Sequence, residues 1–73
     1  MSEVNTQIEI VVNGEPQFVP EEITVTELVA RWELAAQRLA IEYNQVILAR
    51  SLWSATSVQA GDRLEIVHFV GGG

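Results

Sequence analysis

Seventy-three residues with no cysteine and a net charge of −6 narrow the functional classes at once. A chain of this length makes one domain, spanning residues 1–73, with little core to spare for an internal active site. Without cysteine there is no disulfide framework, no thiolate metal site and no thiol nucleophile. Ten acidic residues against four arginines repel a phosphate backbone, which argues against nucleic-acid binding. No basic leader precedes an apolar segment, and no apolar run approaches the roughly eighteen residues of a membrane span, so a soluble, cytoplasmic protein is expected.

In chain order, Ile8, Ile10 and Val12 alternate with Glu9 and Val11, the pattern of a strand with one buried face. Asn13-Gly14 follows, a strong hairpin signal because both central residues of a type I′ turn need positive φ. The returning strand is expected from Glu15 to about Val19, at a sheet edge, since Pro16 cannot donate a ladder hydrogen bond. Thr24-Val25-Thr26-Glu27 fits a capping box that starts a helix, and Val25, Leu28, Val29 and Trp32 fall on one stripe facing the sheet. Trp32 is therefore expected in the core.

Leu39, Ile41 and Tyr43 alternate again, and Asn44-Gln45 turns the chain into Val46-Ile47-Leu48, a second short hairpin. Arg50-Ser51-Leu52-Trp53-Ser54 reads as a connecting turn or a single helical turn, with Leu52 and Trp53 available to cover the open end of the core. Gly61-Asp62 signals another turn. The last strand is expected from Arg63 to about Val70, with Leu64 and Ile66 on one face and Glu65, Val67 and Phe69 on the other. Two strands, one helix and three strands predict an α+β fold, a mixed sheet of about five strands with one helix packed across it.

Few residues are equipped for catalysis. One histidine, no cysteine and no carboxylate pair held at an evident spacing leave nucleophilic, metal and paired-acid mechanisms without parts, so no catalytic residue and no metal ligand is assigned. His68 alone, at the end of an amphipathic strand, reads as structural or solvated. The feature that speaks most about function is the end of the chain, where Gly71-Gly72-Gly73 follow an apolar run. Glycine leaves the backbone thin enough to thread a narrow channel, and a terminal carboxylate on such a flexible tail is a chemical handle; a frayed end gives the same three letters. Val67 and Phe69, on the sheet face that a single helix leaves uncovered, suit a partner surface, the alternative being ordinary exposed apolar residues.

Three stretches carry a family resemblance. They are Ile23-Thr24-Val25 leading into Glu27-Leu28; Leu39-Ala40-Ile41-Glu42-Tyr43-Asn44 followed by Arg50 and Trp53; and the block from Gly61-Asp62-Arg63 through Val70-Gly71-Gly72-Gly73. Together they resemble the sulfur-carrier (ThiS) family of thiamine biosynthesis, relatives of ubiquitin with the β-grasp fold. The C-terminal block is the specific part; the helix start and turns recur in many unrelated domains. Gln45 departs from the glycine often found after the asparagine, and Ala49 from the proline that commonly precedes the arginine.

The resemblance implies a carrier and not an enzyme. A ubiquitin-activating-enzyme-like adenylyltransferase would use ATP to adenylate the Gly73 carboxylate, a sulfur donor protein would turn it into a thiocarboxylate, and thiazole synthase would receive the sulfur. Gly71 and Gly72 would form the arm; Val67, Phe69 and Val70 would form the docking side; no cofactor would be bound. The small subunit of molybdopterin synthase resembles this fold and tail as well and delivers sulfur to a pterin. A ubiquitin-like binding module with an inert tail is the alternative from another class.

Overall fold

A computed structural model describes residues 6–34 and 36–69 of the chain. Five strands form one sheet: β1 (Gln7–Val12), β2 (Glu15–Pro20), β3 (Leu39–Tyr43), β4 (Val46–Ile47) and β5 (Arg63–His68), in the order β2-β1-β5-β3-β4. Among the described residues the one α-helix, α1 (Val25–Arg31), crosses one face, and 3-10 turns occupy Ala36–Arg38 and Arg50–Ala55. β5 runs parallel to β1 and antiparallel to β3, which makes it the central strand of a mixed sheet. This is the β-grasp architecture of the α+β expectation.

Each element follows from local chemistry. Asn13 and Gly14 both take positive φ, 51° and 83°, the condition of a type I′ hairpin. Pro16 and Pro20 lie in β2, which is indeed an outer strand. Thr24 accepts from the amide of Glu27 at 3.1 Å while Glu27 Oε1 accepts from the amide of Thr24 at 3.0 Å, so both halves of the capping box are made. At the other end Glu33 adopts φ 58°, its N–H donates to the Ala30 carbonyl and that of Leu34 to the Val29 carbonyl. This is a Schellman closure with glutamate where glycine is usual.

The core lies between the sheet and α1. Ile10, Val19, Leu39, Ile41 and Leu64 from the sheet meet Val25, Leu28 and Val29 from the helix, with Val58 and Trp53 closing the end. Trp53 donates from Nε1 to the Leu48 carbonyl at 3.2 Å, and the Arg50 guanidinium stacks 4.9 Å above its ring while donating to the Leu39 carbonyl. That pair fastens the second 3-10 turn to β3.

Some expectations need correction. Trp32 is the C-cap residue of α1 and is only half-buried, because the helix ends there and its side chain packs at the rim of the core. Leu52 is 50% exposed while Trp53 is 4% exposed, so only the tryptophan covers the core end. β4 is two residues long, although the Leu48 N–H still donates to the Ile41 carbonyl. β5 ends at His68 and β2 extends to Pro20. Val70 and the expected flexible tail, Gly71 to Gly73, lie outside the described residues. No described helix is long and apolar enough to cross a membrane.

Candidate docking face and carboxyl end

The register fixes which side chains share the uncovered face of the sheet. Val67 stands opposite Ala40, Glu65 opposite Glu42, Glu42 opposite Ile47, and Phe18 opposite Glu9. Leu64 and Ile66 belong to the other face, toward the helix, where Leu64 is buried and Ile66 packs against the core. Phe69 lies one residue past β5, but its N–H donates to the Arg38 carbonyl at 2.8 Å, which continues the ladder and keeps Phe69 on the side of Val67. Val67 is 52% and Phe69 56% exposed. The structure thus brings these two together on one face; Val70, Gly71, Gly72 and Gly73, which follow Phe69 in sequence, lie outside the described residues.

Residues not singled out in the sequence complete this face. Phe18 and Ile47 are exposed on it, from the two outermost strands. Among the apolar groups sit Glu9, Glu42 and Glu65, with Arg63 beside Val11. Glu42 and Glu65 face each other directly across the ladder, a like-charge arrangement that costs stability in the free protein. Phe18 could have been found from the period of two in β2; Ile47 could not, since a two-residue strand has no readable period.

Two polar clusters hold β5 at its head and middle. The Asp62 carboxylate accepts from the Tyr43 hydroxyl, from Asn44 Nδ2 at 3.2 Å and from the Gln59 amide at 2.7 Å. Asn44 Oδ1 in turn accepts from the Arg63 amide at 2.8 Å. Desolvation, then the hydrogen bond to Asp62 and its negative charge, push the Tyr43 phenol up to about 12. Further along, the Asn13 side chain accepts from the Ile66 amide at 2.8 Å and donates to the Ile66 carbonyl at 3.4 Å. The sequence reading gave Asn13, Asn44 and Asp62 only turn roles, because bonds across 53, 19 and 18 residues leave no local signal.

His68 stands opposite Leu39 and is exposed. Among the described residues no group of three or more histidine, aspartate or glutamate side chains is placed to hold a metal ion, and no buried side-chain polar atom lacks a hydrogen-bond partner. What the described residues offer is a partly apolar surface on the uncovered face of the sheet.

The model of the ThiS family matches residues 3–73. A crystal structure of the thiamine biosynthesis protein ThiS from Geobacter metallireducens is similar at 38% identity, with a TM-score of 0.79, over 90% of this chain and 100% of that one. A thiazole synthase from Magnetococcus marinus is 33% identical over 66 residues, 90% of this chain and 20% of its own. The uncharacterized protein ycf40 of Porphyra purpurea is 34% identical over 96% of this chain and 99% of its own length. The chain therefore spans about a fifth of the thiazole synthase it matches and nearly the whole of the algal protein.

Proposed function

The chain belongs to the ThiS family, and from that we propose that it carries sulfur for thiazole formation in thiamine biosynthesis, as a protein cosubstrate and not as an enzyme. The observation that carries this reading is the family match, which runs through Gly73 and so includes the tail. Similarity to part of a thiazole synthase favours thiazole synthase as the acceptor over a pterin-forming one.

The chemistry asks little of this chain's side chains. A carboxylate is a poor electrophile, so a Gly73 carboxylate oxygen attacks the α-phosphorus of ATP, pyrophosphate leaves, and an acyl adenylate forms. Sulfide-level sulfur released by the donor protein attacks the acyl carbon, the bond to the AMP oxygen breaks and AMP leaves, and the terminus becomes a thiocarboxylate whose sulfur passes to thiazole synthase. The active groups belong to the activating partner, a ubiquitin-activating-enzyme-like adenylyltransferase working in the cytoplasm. This chain supplies the carboxylate of Gly73, the arm of Gly71 and Gly72, and the face of Val67, Phe69 and Val70. The opposed Glu42 and Glu65 fit a partner that sets a cation between them, since docking then removes a repulsion present in the free protein.

Intact-mass spectrometry with ATP, a sulfur source and the cognate activating enzyme tests the reading. The expected product has one oxygen at the last residue replaced by sulfur. Deleting Gly73 abolishes that change with melting behaviour nearly untouched. Equal labelling of the deletion variant refutes the assignment.

A further inference from the structure

Peptide groups along β5 point alternately to its two neighbours. The Asn44 N–H bond to the Arg63 carbonyl and the Phe69 N–H bond to the Arg38 carbonyl, with the register His68 to Leu39, assign residues 63, 65, 67 and 69 to the β3 side. Residues 62, 64, 66 and 68 therefore face β1. There the Asp62 carbonyl accepts from the Val11 amide and the Leu64 carbonyl from the Asn13 amide, each at 2.9 Å. The Asn13 side chain then serves both peptide groups of Ile66, standing in for a strand that has already turned away through Gly14. At His68 the series stops: among the described residues nothing takes its N–H or its carbonyl.

The other edges of the sheet are blunted. β2 carries Pro16 and Pro20, and β4 is only two residues long. The His68 edge has neither device. It lies one residue ahead of Phe69 and two ahead of the chain's last four.

We propose that this β1-side edge of β5 at His68 pairs with an extended segment of the protein that activates the Gly73 carboxylate. This rests on the carrier reading above. A strand added here gains main-chain hydrogen bonds from His68 and apolar contact from Val67 and Phe69 on the adjoining face, within a few residues in sequence of Gly73. A second copy of this chain is the poorer occupant, because it brings the same net charge of −6 to the contact.

Amide hydrogen exchange, with and without the cognate activating enzyme, reads the pairing directly. The His68 amide exchanges fast in the free protein and is expected to become protected in the complex, while Ile66, already bonded to Asn13, changes little. A second readout is the ratio of dissociation constants of His68→Pro and His68→Ala, which separates the backbone N–H from the imidazole. Proline is tolerated at an edge whose N–H faces solvent, and losing the interprotein bond is expected to raise the ratio to about tenfold. If His68→Pro fails to fold, the exchange measurement decides alone. An unprotected His68 amide in a complex that loads Gly73, or a ratio near one, overturns the pairing and leaves the carrier reading intact. Protection that grows with the protein's own concentration, without partner, assigns the edge to a second copy and overturns the proposal. A wild-type chain that is never adenylated sinks both.

Discussion

Asn13 is expected to be worth more than the turn it opens. Its backbone sits at φ 51°, and its side chain makes one short bond to the Ile66 amide and one long bond to the Ile66 carbonyl. Two substitutions separate these contributions. Asn13→Gly keeps the positive φ at no steric cost and removes the side-chain bonds, of which the short one contributes about 1 kcal/mol net. Asn13→Ala loses the same bonds and adds about 1 kcal/mol or more, because asparagine tolerates the left-handed region and alanine does not. For a domain of this size 1 kcal/mol shifts Tm by roughly 4–8 °C. Thermal melts should therefore place Asn13→Gly about 5 °C below the wild type and Asn13→Ala about twice as far. In both variants the Ile66 amide should exchange faster. Equal melting of the two variants would deny the backbone part of the reasoning, and an unchanged Ile66 exchange rate would show that Asn13 does not hold β5.

Gln45 occupies the second position of the β3–β4 turn at φ 74°, where glycine is the unstrained residue, so Gln45→Gly should stabilise by about 1 kcal/mol; a melt that moves down or not at all refutes this. Tyr43 is the chain's single tyrosine, so an absorbance titration reads it alone, and its midpoint should lie near 12 rather than 10. The folded value is raised, so the stabilisation from the neutral phenol is complete below pH 10 and is lost as pH climbs through 12, a loss that Tyr43→Phe should lack. Phe69 keeps more than half its surface exposed, roughly 100 Å² of a large aromatic, so docking that covers it is worth about 2 kcal/mol. Phe69→Ala should weaken binding to the activating enzyme or thiazole synthase by about 10–100-fold with the fold retained; unchanged affinity or an unfolded variant removes Phe69 from the docking face.

The sequence by itself determined whatever depends on neighbours a few residues apart. The Thr24–Glu27 cap, the Asn13-Gly14 hairpin, the edge position of β2 and the core-facing stripe of Leu64 and Ile66 are all short-range effects, set by backbone angles, missing N–H groups and side-chain periodicity. The exposed side of Val67 and Phe69 followed from the same alternation. Tertiary structure alone decided the strand order, which puts β5 between β1 and β3, because parallel pairing joins segments whose spacing in the chain carries no periodic signal. It also decided the long-range uses of three turn residues. Asn13, Asn44 and Asp62 have spare donors and acceptors wherever they sit, and only the folded chain shows that these reach β5 and stop one residue pair short of His68. Trp32 and Leu52 eluded the apolar pattern for a related reason: hydrophobicity says that a side chain gains from burial, whereas the end of a helix or a turn determines whether there is core left to bury it in.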